Sequence, residues 1–152
     1  MDRVRILLGP FHDPCNAPDN PTKAKTFWTE GAEHHDWVPH DRIFCNPPWS
    51  RKVPNLPTLD DWSSIWADYA QMNQEGILVA ICPASTSSVW WHENILEYSR
   101  AICFPKGRIQ FDPPPGIVSD SSNMGDSAIV LFGSEMFLFK DLFEDYGHVI
   151  IM

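Results

Sequence analysis

Asn46-Pro47-Pro48-Trp49 is the segment of this 152-residue chain whose residue types are best suited to chemistry. An amine on a planar base is a poor nucleophile, because its lone pair is delocalised into the ring. A catalyst must accept its N–H bonds and let the nitrogen become pyramidal. The side-chain carbonyl of Asn46 is one such acceptor. Pro47 and Pro48 have no N–H and fix their own dihedrals, which leaves the Pro47 carbonyl as a second acceptor for the same amine. Trp49 offers a stacking face, and stacking on an aromatic side chain holds an unpaired base by about 1–3 kcal/mol. Ser50, Arg51 and Lys52 follow, a small hydroxyl and two cations suited to a nearby phosphate. A Pro-Pro pair after a strand is also compatible with a merely stiff loop, so the elements around it decide its weight.

Ile43-Phe44-Cys45 reads as a short buried parallel strand stopped by the prolines, with the loop leaving its carboxyl end. Ligands of open α/β sheets bind beyond such ends. Before it, residues 4 to 8 read as a first strand ended by Gly9-Pro10 and 11 to 21 as a turn-rich loop, while 27 to 41 keeps no period and its acidic, histidine-rich stretch Glu30 to Asp36 reads as exposed connection. After it, Leu59, Trp62, Trp66, Tyr69 and Met72 recur at helical spacing, with Thr58 or Asp60 to cap the start and Gly76 to end it. Gly76 to Pro83 is the clearest buried strand, and the Ser/Thr cluster 85 to 88 opens a helix running to about Tyr98. Residues 101 to 104, 109 to 111 and 127 to 133 read as strands, 112 to 126 as a mobile loop, and the tail as a helix followed by a closing strand. This alternation predicts one α/β layered domain with a mostly parallel sheet.

A hydrophobic fraction of 43% places the chain among globular proteins, and no apolar run approaches the length of a membrane span. The expectation is a soluble, cytoplasmic protein. Cys15, Cys45, Cys82 and Cys103 lack paired metal or redox spacing and read as free thiols, the last three within strands. The formal charge of −9 disfavours nonspecific DNA binding, since phosphate contacts draw on Lys and Arg. Lys23, Lys25, Arg51, Lys52, Arg100, Lys106 and Arg108 nevertheless fall beside the segments of interest and leave room for a local basic rim.

Five segments, in order, resemble the phage and prophage DNA N6-adenine methyltransferases. Phe11-His12-Asp13-Pro14-Cys15 is similar to the family's F-D-x-D-P-C, Phe27 through Glu30-Gly31 to its F-T-x-x-D-G-L, and Ile43 to Ser50 to its V-x-x-N-P-P-Y-S. Pro83-Ala84-Ser85-Thr86 with Trp90-Trp91-His92 looks like P-A-R-T-x-T-x-W-W/F-H, and Gly107-Arg108-Ile109-Gln110-Phe111 like G-R-I/L-x-F. The resemblance implies a compact three-layer, Rossmann-like class I methyltransferase fold, S-adenosylmethionine as cofactor, DNA as partner and a bacterial cytoplasm as setting, with the gene carried by a phage or prophage. It implies that Asp13, Pro14 and Cys15 lie beside the methionine part of the cofactor and Glu30 near its adenosine. Asn46, with Pro47, Pro48 and Trp49, would hold the target adenine, with Asn46 also bordering the cofactor. Trp49, Ser50, Arg51, Lys52, Thr86 and Arg108 would meet the DNA. Departures are Glu30 for aspartate, Ser85 for arginine and the missing glycine-rich F-x-G-x-G loop. Loops of this type also serve cytosine N4, RNA adenine and protein glutamine amides, so the acceptor stays open. A silent relative that binds nucleic acid or protein through Trp49 and the following loop is the alternative of another class.

His34, His35, Asp36 and His40 are metal-ligand types, but their spacing matches no zinc pattern, and a solvated loop explains them. No metal is expected. Trp62 and Trp66 share a helix face and belong to the core, whereas at most one of Trp90 and Trp91 faces inward. Ser85, Ser87 and Ser88 lack a nucleophile elbow and read as a helix cap.

Overall fold

Apolar runs of four to seven residues, cut by prolines, glycines and polar turns, are too short to be helices that cover a core and long enough to be buried strands. A computed structural model describes residues 1–49, 56–109 and 126–152. In it such runs form β3 (Arg42–Cys45), β4 (Ile77–Pro83), β5 (Ala101–Pro105), β6 (Ser127–Phe132) and β7 (Gly147–Ile151), joined by the two-residue strands β1 (His12–Asp13) and β2 (Thr26–Phe27). Their order across the sheet is β2-β1-β3-β4-β6-β5-β7.

The expectation of a mostly parallel sheet holds for one half only. Pairing is parallel through β2-β1-β3-β4 and antiparallel through β4-β6-β5-β7. The sheet is therefore mixed, because β6 runs down between β4 and β5. Five strands, β1 to β5, still point the same way, and their carboxyl ends share one edge of the molecule. From β1 the chain first adds β2 on one side and then crosses to add β3 on the other. That reversal makes the gap between β1 and β3 a topological switch point, where open α/β sheets bind ligands.

Alternation along the strands sends successive side chains to opposite faces. Ile43, Cys45, Leu78, Ala80, Cys82, Ile102 and Val130 face a cluster containing Trp62, Trp66 and Tyr69 of α2 (Leu59–Met72) and Trp91 and Ile95 of a π-helical segment (Trp91–Leu96). Phe44, Val79, Ile81, Cys103, Ile129 and Leu131 face Val4, Leu7 and Leu8 of α1 (Asp2–Leu8) and Phe139 and Phe143 of α3 (Met136–Phe143). Helices thus cover both faces, giving three layers.

Residues 4 to 8, expected as a strand, are helical: Val4, Leu7 and Leu8 are buried while Ile6 is 63% exposed, an i, i+3, i+4 pattern. Within the stretch 30 to 36, expected as exposed, Ala32 is buried in a 3₁₀ turn (Ala32–His34), and its carbonyl accepts from the indole of the buried Trp37 at 2.9 Å. Helix α2 begins at a capping box built by Thr58 and Asp61, and it stops at Asn73 rather than Gly76. Gly76 answers a different need, since a Cβ there would overlap the Tyr69 hydroxyl. Gly133, at φ 116°, likewise lets β6 end hard against the Gly76 carbonyl. The serine-rich turn before the π-helical segment is closed by main chain, Ser88 N–H to Ser85 carbonyl at 2.9 Å and Trp91 N–H to Ser88 carbonyl at 3.2 Å, with no side-chain cap. Ile109 is not in a strand, and Gln110, Phe111 and nearly all of the expected loop 112 to 126 lie outside the described residues.

Candidate active site

The five like-directed strands each deliver one predicted segment to the same edge. Asp13, Pro14 and Cys15 end or follow β1, Glu30 follows β2, Asn46 to Trp49 follow β3, Thr86 follows β4 and Arg108 follows β5. Ser50, Arg51 and Lys52 lie outside the described residues. A cavity of about 600 Å³ lined by Asn73, Glu97, Tyr98, Arg100 and Met136 lies at the opposite end of the sheet and includes none of these candidates.

At the switch point the sequence of β1 changes from a sheet residue to a turn former. Asp13 is 2% exposed, and both carboxylate oxygens are engaged: Oδ1 accepts from the Cys15 N–H at 3.0 Å and Oδ2 from the Thr22 hydroxyl at 2.8 Å. Burial pushes its carboxyl up to about 6, against the lowering effect of the two hydrogen bonds. Asn16 extends this network, donating to Asn20 Oδ1 at 2.6 Å and to the Thr22 hydroxyl at 2.9 Å. Asn20 in turn closes on both the N–H and the carbonyl of Ala24. Asp13 therefore shapes the loop from 13 to 24 from inside. Sequence reasoning singled out neither Asn16 nor Thr22; the asparagine pair four apart within a proline-rich turn was their only trace.

On the other side of β1, His12 stacks on His40 with ring centroids 3.8 Å apart and meets Trp28 edge-on at 4.2 Å, while Trp28 stacks on His35. His12 Nδ1 lies 2.9 Å from the Thr26 hydroxyl. Burial, then the nearby His40 and His35, hold the His12 imidazole down at about 4, and burial lowers His40 as well. The histidines expected in a solvated loop thus supply part of an aromatic stack. Among the described residues no cluster of three His, Cys, Asp or Glu side chains is arranged to hold a metal ion.

After β3, Asn46 is half-buried, Pro47 buried and Pro48 exposed. Trp49 is half-buried and packs against the α1 and α3 face of the core. Cys45, immediately before Asn46, is fully buried on the α2 face, with its Sγ 3.9 Å from that of Cys15. Beyond β4, the exposed Thr86 is steadied through its main-chain oxygen, 2.9 Å from His92 Nε2, so the helix that follows reaches back to the loop. Glu30 and Arg108 are exposed. The arrangement gathers an amide acceptor, an exposed carboxylate, a hydroxyl and a cation around one sheet edge.

A model of the family described as DNA N-6-adenine-methyltransferase (Dam) matches residues 3–151. The chain belongs to that family. No curated protein matches it. Within this Dam-family chain the match spans every element from α1 to β7, so the segments gathered at the sheet edge all fall inside the family's own extent. No helix among the described residues is long and apolar enough to cross a membrane.

Proposed function

We propose that the chain is an S-adenosylmethionine-dependent DNA N6-adenine methyltransferase of class I, Rossmann-like type, with Asn46-Pro47-Pro48-Trp49 as its catalytic loop. The observation that carries this reading is the position of Asn46 directly beyond β3 and beside β1, at the point where the strand order reverses. The residues present fit such a cofactor: the exposed Glu30 suits ribose hydroxyls, and the loop that Asp13 holds with Pro14 and Cys15 lies next to it across β1 and β2. Asp13, 2% exposed, acts there through the loop it shapes. When bound, the cofactor supplies an electrophilic methyl group on a sulfonium.

The chain's residues supply positioning. The Asn46 side-chain carbonyl accepts one N–H of the adenine amine and the Pro47 carbonyl the other. Both bonds draw the nitrogen lone pair out of the ring and strengthen as the N–H bonds become acidic, which favours the transition state over the ground state. Trp49 borders the base, and Thr86 and Arg108, with Ser50, Arg51 and Lys52, border the backbone of the DNA. No covalent intermediate with the protein and no metal enters this scheme.

Calorimetric titration with S-adenosylmethionine, followed by transfer of tritiated methyl to unmethylated DNA, tests the reading. Binding with label recovered as N6-methyladenine is expected. Label on RNA or protein instead would move the acceptor, and a folded protein that binds no cofactor would leave the silent relative. Asn46→Ala should lower methyl transfer about 100-fold or more, the loss usual for one transition-state hydrogen bond. Asn46→Asp, which keeps an acceptor, should lose less. An Asn46→Ala protein of wild-type activity would sink the assignment.

A further inference from the structure

We infer that Cys15 and Cys45 form an oxidation site, which a peroxide closes into a disulfide joining the loop after β1 to the base of the catalytic loop. Their Sγ atoms are 3.9 Å apart, and both side chains lie on the α2 face of the sheet. Cys45 ends β3 and Cys15 lies two residues beyond β1, the strand paired with β3, so the two sulfurs meet at one edge of the sheet. Only about 2 Å of approach separates the present contact from a sulfur–sulfur bond, within reach of a side-chain rotation. The partner choice is also fixed by the fold. Cys82 and Cys103 are enclosed within β4 and β5, and Cys103 points to the opposite face. Cys15 is the one cysteine that is not fully buried, so it is the sulfur a small oxidant reaches first.

The chemistry balances with hydrogen peroxide as oxidant. The Cys15 thiolate attacks one peroxide oxygen, the O–O bond breaks, and hydroxide leaves to give a sulfenic acid. Cys45 sulfur then attacks Cys15 sulfur, the S–O bond breaks, and the departing oxygen takes up the Cys45 proton as water. Two thiols are oxidised to one disulfide, and one peroxide is reduced to two waters. Cys45 directly precedes Asn46, so the bridge ties Asn46 to the loop that Asp13 shapes. The site itself is independent of the proposed function. Its consequence, reversible loss of methyl transfer, rests on that reading.

The test treats the full chain with millimolar hydrogen peroxide, then counts thiols after denaturation and maps peptides by mass spectrometry. The count should fall from four to two. A Cys15–Cys45 cross-linked peptide lighter by two hydrogen atoms should appear and vanish with dithiothreitol. Cys82→Ser should retain the cross-link and Cys15→Ser should abolish it. Sulfinic acid on Cys15 without a cross-link, a different pairing, or an unchanged thiol count would overturn the proposal. Where the protein methylates DNA, the oxidised form should be about tenfold or more slower and recover on reduction. A cross-link that leaves methylation unchanged would overturn the inhibitory consequence alone, and a cross-link in a protein that methylates nothing would uphold the site while removing the proposed function.

Discussion

Asp13 and His12 are neighbours on β1 whose side chains point to opposite faces, and their protons respond oppositely to burial. Burial raises Asp13 to about 6 from its ordinary 3.8, so the folded chain keeps this proton longer than the unfolded chain does. The stability it contributes is complete below about pH 4 and is lost as pH rises through 6. His12 is lowered to about 4 from 6.5, so its contribution is complete above 6.5 and is lost as pH falls through 4. His40, also lowered, acts in the same direction as His12. Over this shared window the two kinds of group offset one another, and the wild-type protein should show a shallow dependence of stability on pH. Asp13→Asn removes one side of the balance. Relative to wild type, the variant should be about 3 kcal/mol more favoured at pH 7 than at pH 4, a shift of about two pKa units being worth that much. Urea denaturation of both proteins at pH 4, 5.5 and 7 measures it, and parallel profiles would show that Asp13 carries no such proton. The family resemblance implied that Asp13 lies beside the methionine part of a cofactor. That its oxygens turn inward to Thr22 and Cys15 depends on how the loop folds back on itself, which spacing does not report.

Among the elements, those with a full period of signal were legible and those with a fragment were not. Helix α2 repeats its aromatics over 14 residues, so its face, its start and the burial of Trp62 and Trp66 followed from spacing. Its end was misplaced because Gly76 is small for the sake of the Tyr69 hydroxyl, a tertiary reason. Residues 4 to 8 offered five positions, too few to separate a strand from the single helical turn and a half they form. The loop from Asn46 to Trp49 was legible as a loop leaving a strand because prolines end β3 whatever surrounds them. The reversal of the sheet beyond β4 was not, since antiparallel insertion of β6 is a matter of topology rather than of local pattern. The start of α2 gives a direct test of an inference made from local sequence. Thr58 Oγ1 accepts from the Asp61 N–H at 3.3 Å, and Asp61 Oδ2 accepts from the Thr58 N–H at 2.7 Å. The Thr58 N–H, then its hydroxyl, lowers the Asp61 carboxyl. Thr58→Ala should cost about 1 kcal/mol of stability, read as a lower urea midpoint at unchanged slope. A midpoint equal to wild type would mean that the box is not formed in solution.

At the scale of the whole molecule, the charge bears on the proposed DNA partner. The chain carries 20 acidic against 11 basic side chains, and not all of the cations are available. Arg3 is paired with Asp145 and Arg5 with Asp2, both on α1. Arg100 lines the cavity at the far end of the sheet. Along the edge that carries Asn46, the exposed cations after β5 are Lys106 and Arg108, and the sequence adds Arg51 and Lys52 after Trp49. Each phosphate neutralised steepens the fall of log K against log salt by about 0.9, so these four contacts alone would give a slope for duplex DNA of about −3.6. The expected measurement is therefore a shallow salt dependence, in contrast to a basic protein that grips many phosphates. Fluorescence anisotropy with a labelled duplex between low and physiological salt gives the slope directly. Arg108→Ala should reduce its magnitude by about 1 while weakening binding to all sequences alike, as a phosphate contact does. A slope near −8 would require cations beyond this edge and a footprint reaching around the acidic faces, and would place the DNA elsewhere on the molecule.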